Sequence, residues 1–114
     1  MRKQQIQNAA FEVAVQVRTV ETTIDAALAE VAELQARIMR ANAVTGAGVL
    51  TGHKVIEQLI EALGGLVDAR GAMGQCHAAL VEAKDRVPGL RTTSFGDGTD
   101  CPPQTGFGNL RVVA

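Results

Sequence analysis

Two runs of apolar residues, each spaced alternately four and three residues apart, constrain this chain more than any other feature. The first comprises Ile6, Ala10, Val13, Val17, Val20, Ile24, Ala27, Val31, Leu34, Ile38 and Ala41. Every member is apolar, as a heptad seam on one face of a long helix requires. Gln, Glu, Ala and Arg fill most of the intervening positions, and no Gly or Pro occurs before Gly46. These residue types propagate helix well, so the spacing predicts a first helix from about residue 4 to about residue 43. The second run is Val55, Leu59, Ala62, Leu66, Ala69, Met73, Cys76, Leu80, Ala83 and Val87, ending at Pro88-Gly89. It predicts a second helix over about 51–87, with Pro-Gly as its terminator.

Between the runs, Thr45, Gly46, Ala47 and Gly48 interrupt the period, and closely spaced glycines permit the positive φ of a tight reversal. The expected fold is therefore all-α: an antiparallel two-helix hairpin over residues 1–87, with coiled-coil-like heptad seams and a turn at 44–50. Symmetric pairing about Ala47 sets Arg37 near Glu57 and Asp25 near Arg70, both of opposite sign. Glu57 and Glu61 early in helix 2, and Lys84 and Arg86 late in it, have the signs the helix macrodipole favours. Gly64 and Gly65 introduce an alternative, a kink or break that splits helix 2.

Residues 88–114 have a different composition. They hold all three prolines, five of the twelve glycines and two of the three phenylalanines. Thr93–Asp97 and Thr105–Asn109 echo each other as Phe-Gly-Asp and Phe-Gly-Asn, an aromatic followed by a turn. Leu110 to Val113 has the residue types of a short strand. The expectation is an extended C-terminal tail.

Chemistry is sparse. The single serine, Ser94, lacks the Gly-x-Ser-x-Gly turn of a nucleophile elbow. Asp97 and Asp100 begin a calcium-like loop that has no terminal carboxylate. His53 has no second His at i+4 to make a metal pair, and Gly46, Gly48 and Gly52 neither follow a strand nor precede Gly-Lys-Ser/Thr. Cys76 and Cys101 lack Cys-x-x-Cys spacing, so two reduced thiols are expected. No catalytic residue, cofactor or metal ligand is assigned, and the chain is read as a non-enzyme. Eleven basic and twelve acidic residues give a net charge of −1. With that balance, and with Arg70, His77 and Lys84 as the nearest thing to a basic strip, nucleic acid is not an expected partner. Neither a membrane span nor a signal peptide is read, because polar Gln4, Gln5, Gln7 and Asn8 follow Arg2-Lys3.

In size and hairpin shape the chain is similar to the small secreted helical hairpins whose turn carries Trp-x-Gly. The resemblance fails at that motif, since there is no Trp and the turn reads Val44-Thr45-Gly46-Ala47-Gly48, so no family is assigned.

What remains is association. A lone hairpin covers one seam of each helix, and Ile56, Ile60, Leu63 and Val67 form a second apolar stripe beside the first on helix 2. Small residues on the backs of both helices, among them Gly64 and Gly71, suit close approach by neighbouring chains. Phe95, Phe107, Leu110 and Val112 are the candidate anchors of the tail. The sequence thus predicts a homo-oligomer, a subunit of a larger protein assembly, or both. Suitable settings are a phage particle, a tail or a secretion-type machine, with the protein cytoplasmic or part of a virion. A second reading is an adaptor, assembly chaperone or regulator that binds one client through the helix 2 stripe.

Overall fold

A computed structural model of the chain describes residues 2–46 and 48–90. Two helices account for nearly all of them: α1, Arg2–Thr45, and α2, Val49–Asp85. They pack against each other as a hairpin, and no strand occurs among the described residues. The turn is shorter than expected, because both helices run closer to the glycines. The Gly46 amide donates to the Asn42 carbonyl at 3.1 Å, and Gly46 takes φ +66°. That is the left-handed cap which ends many helices and which Gly adopts at least cost. Two residues later the Gly48 carbonyl accepts from the Thr51 amide at 3.0 Å and starts α2.

α2 is continuous through Gly64 and Gly65, so the expected alternative of a break there does not occur. Its C-terminal end follows the macrodipole reading, with Lys84 in the last turn, whereas the first turn contains no acidic residue. Glu57 and Glu61 sit too deep in the helix for an effect confined to the terminal turn.

The described residues divide into two compact sections, one within 16–74 around the turn and one made of 2–15 with 75–90. In the turn section Val17 and Leu59 are buried, with Ile24, Val31, Ile38, Leu66 and Met73 half-buried on the same rows. Those rows are the ones the sequence selects. The second row of each helix follows the sequence only in part. On α1 the sequence selects Val20, Ala27, Leu34 and Ala41. Val20 and Ala27 are half-buried, yet nearer the turn Leu34 remains 49% exposed and Ala41 is exposed. The row one residue later, Glu21, Leu28, Gln35 and Asn42, is half-buried throughout. On α2, Val55, Ala62 and Ala69 are exposed, while Gly52 is buried and Ile56 and Leu63 are half-buried.

The reason for this rotation lies in side-chain size. Turning α2 by one row buries Ile56 and Leu63 in place of Val55 and Ala62, and that apolar gain lies on α2; on α1 the same turn brings in Leu28 but sets Gln35 and Asn42 in place of Leu34 and Ala41. Gly52 makes the closer approach possible near the turn, since a Cβ there would overlap the Asn42 side chain. One of the two expected cross-helix pairs forms: Arg70 Nε donates to Asp25 Oδ1 at 2.7 Å. The other does not. Arg37 bonds Glu33 at 3.1 Å and His53 bonds Glu57 at 2.9 Å, each four residues away on its own helix.

In the other section, Arg86 and Val87 donate to the carbonyls of Ala83 and Lys84, three residues back, which tightens the end of α2. Gly89 takes φ +91°, and Leu90 beyond it is 4% exposed. A Cβ on Gly89 would lie 3.8 Å from the Lys3 side chain, so this turn meets the start of α1.

Candidate interaction surface

The partner-binding stripe expected on α2 is divided by the fold. Ile56 and Leu63 turn inward and are half-buried, whereas Ile60 and Val67 stay 49% and 54% exposed. On the helix surface Ile60 and Val67 are seven residues apart and share a row with His53, whose imidazole is held by Glu57. The corresponding side of α1 carries Arg18, Asp25, Ala32 and Met39, with Met39 52% exposed. This side of the hairpin is therefore apolar in patches and crossed by the Asp25–Arg70 ion pair. The hydrogen bond and charge of Asp25 raise the Arg70 pKa above its ordinary value; desolvation opposes them, and the charge of Glu21 adds the least.

On the opposite side the row of each helix next to the seam has no such interruption, and Thr23, Glu30, Arg37 and Gln58 flank these rows. The rows present Val20, Ala27, Leu34 and Ala41 from α1 and Val55, Ala62 and Ala69 from α2, none of them charged or polar. The sequence pattern contains these residues but assigns them to the hairpin's own interior. The exposure of Leu34, Ala41, Val55, Ala62 and Ala69 becomes visible once the seam's rotation is known. The cue in the sequence is size on α2, where Ile56 and Leu63 stand against Val55 and Ala62.

Phe95, Phe107, Leu110 and Val112 lie outside the described residues, as do Ser94, Asp97, Asp100 and Cys101. Cys76 is an exposed free thiol. The expected basic edge falls on the inner row of α2: Arg70 is bonded to Asp25, and His77 and Lys84 are half-buried. A shallow concavity runs along the outside of α2 between His53 and Glu61; one helix alone lines it, with no Ser, Thr or Cys among the lining residues. Among the described residues, no group of three or more His, Cys, Asp or Glu side chains is placed to hold a metal ion, and no buried side-chain polar atom lacks a hydrogen bond. Among them, too, no helix is long and apolar enough to cross a membrane.

The class defined by these features is a two-helix hairpin with apolar side faces. No protein-family model matches the chain, and neither does any curated protein or solved structure.

Proposed function

We propose that this chain is a non-enzymatic structural or assembly subunit. Its hairpin packs, in coiled-coil fashion, against copies or neighbouring proteins, and its tail docks on a partner. The observation that carries this reading is how little the hairpin encloses. Among the described residues only Val17, Leu59 and Leu90 are buried apolar side chains, and none is less than 2% exposed. Folding a chain of this length costs on the order of 1 kcal/mol or more of backbone entropy per residue, which a domain offsets chiefly by burying apolar area. Here Phe11, Val13, Leu34, Met39, Val55, Ile60 and Val67 all stay about half exposed. Covering them with other chains supplies the missing burial. The exposed pair Ile60 and Val67, on the same side of the hairpin as exposed Met39, is one such contact; Phe95, Phe107, Leu110 and Val112 are the proposed contacts of the tail. A virion, a tail or a secretion-type assembly uses subunits of this kind, in the cytoplasm or in the particle itself.

Measuring mass in solution tests the reading. Light scattering of the purified full-length chain at micromolar concentration is expected to give a multiple of the chain mass. A monodisperse monomer that forms a 1:1 complex with one client would refute it in favour of the adaptor reading. Ile60→Glu is expected to reduce the higher-order species while leaving helicity intact, since this side chain is half exposed in the hairpin.

A further inference from the structure

We infer that the side of the turn section that carries the uncharged rows, Val20, Ala27, Leu34 and Ala41 with Val55, Ala62 and Ala69, is covered by the same side of a second copy, closing a four-helix bundle. This rests on the subunit reading and names the first partner. The direction of the heptad seams points to it. On each helix the seam is centred between the buried row and the open row, roughly 50° around the helix from the line toward its hairpin partner. Both seams are displaced toward the same side of the hairpin. In a square four-helix bundle each seam bisects the directions to two neighbours, about 45° from either. A hairpin complete in itself would aim both seams at each other.

The inner rows are consistent with this placement. Glu21, Gln35, Asn42 and Arg70 are polar residues on the edge away from the open face, and Leu28, the apolar member of the α1 row, is already half-buried within the hairpin. In the bundle the polar residues fall on its rim, where Arg70 keeps Asp25 and water remains accessible. The open face has the required size. Two helices side by side over this section make a surface about 40 Å long and about 20 Å across, on the order of 800 Å² per copy, the area a stable interface takes from each partner.

The shape of the face selects a copy of itself. The Asp25–Arg70 and Asn42–Gly52 contacts fix the hairpin register, and that register sets Leu34 level with Ala62, Ala41 level with Val55 and Ala27 level with Ala69. Leu34 and Val55 each have an alanine at their height on the other helix. A two-fold axis parallel to the helices repeats those pairings between copies: Leu34 over the second copy's Ala62, and Val55 over its Ala41. Both turns then lie at the same end, and all neighbouring helices are antiparallel.

Two experiments on the full-length chain test this. Leu34→Glu and, separately, Ala62→Glu are expected to lower the mass to that of a monomer or a smaller species, whereas Ile60→Glu retains the dimer. In a Cys76→Ser/Cys101→Ser background, an oxidised mixture of Leu34→Cys and Ala62→Cys chains is expected to give mixed disulfide dimers in preference to either homodimer. Because each chain carries one thiol, the link is necessarily between copies, and it reports on the face even where the Glu variants lose helicity. An oligomer unaffected by both Glu substitutions, or homodimer links that match or exceed the mixed one, would overturn this face while leaving the subunit reading standing. A monomeric parent chain would overturn both.

Discussion

Four glycines in the interior of α2 carry the most quantitative prediction. Gly64, Gly65, Gly71 and Gly74 are all exposed, and a Cβ built on any of them meets nothing within 4 Å. Replacing each with Ala therefore introduces no clash and removes conformational freedom from the unfolded chain. The expected gain is about 0.4–1 kcal/mol per site. For the four together the gain is roughly 2–4 kcal/mol, allowing for coupling between the adjacent Gly64 and Gly65. At roughly 4–8 °C per kcal/mol for a domain of this size, the quadruple variant should melt at least about 8 °C above the parent at equal protein concentration. Thermal unfolding followed by far-UV circular dichroism measures this, with light scattering alongside to follow association. Gly52→Ala is the internal contrast. It has the same helical gain but drives a methyl into the Asn42 side chain, which must swing aside, so its net effect should fall well short of the other sites. A quadruple variant that melts at or below the parent would refute the premise that this back is open, and would mean that another chain lies against the glycines. If the variant is more stable yet loses species larger than the dimer, the glycine back is the contact through which dimers assemble further.

Two smaller predictions concern the turn and the register. Gly46→Ala has no neighbour to strike, but its φ of +66° should make it about 1 kcal/mol destabilising, and Gly46→Asn less so, both read from denaturant midpoints. Arg70→Glu sets two acids against each other beside Asp25 and should lower the melting temperature modestly, by an amount that shrinks with added salt; Asp25→Arg/Arg70→Asp should restore it. The raised Arg70 pKa means the pair's contribution is complete below arginine's ordinary value and is lost only as pH rises through the higher folded value. Melting temperatures at neutral and mildly alkaline pH should therefore not differ through Arg70.

The period of apolar residues was enough to read two long helices, the reversal at Gly46 and the Asp25–Arg70 pairing. These are local or symmetric consequences of the pattern: a helix follows from its spacing, and a hairpin's register follows from where it turns. The Arg37–Glu57 pairing failed because residues four apart on one helix are always within reach, so Glu33 and His53 compete at no cost in chain entropy. The rotation of the seam was also hidden. A heptad run identifies adjacent rows as apolar or small without saying which two face the hairpin partner, and the choice depends on relative volumes such as Ile56 against Val55 or Leu63 against Ala62. Of the expected α2 stripe, Ile60 and Val67 consequently lie outside and Ile56 and Leu63 within.

The scarcity of buried side chains has a consequence for how such a protein behaves at low abundance. When most of the apolar burial comes from other chains, the folded fraction follows mass action and the melting temperature rises with concentration. Newly made copies below the assembly threshold would be loosely held and open to proteolysis, while copies above it would protect one another. If the subunit proposal holds, the hairpin's thin interior would couple its survival to the supply of its partners, and subunits made in excess of the assembly would be the ones removed.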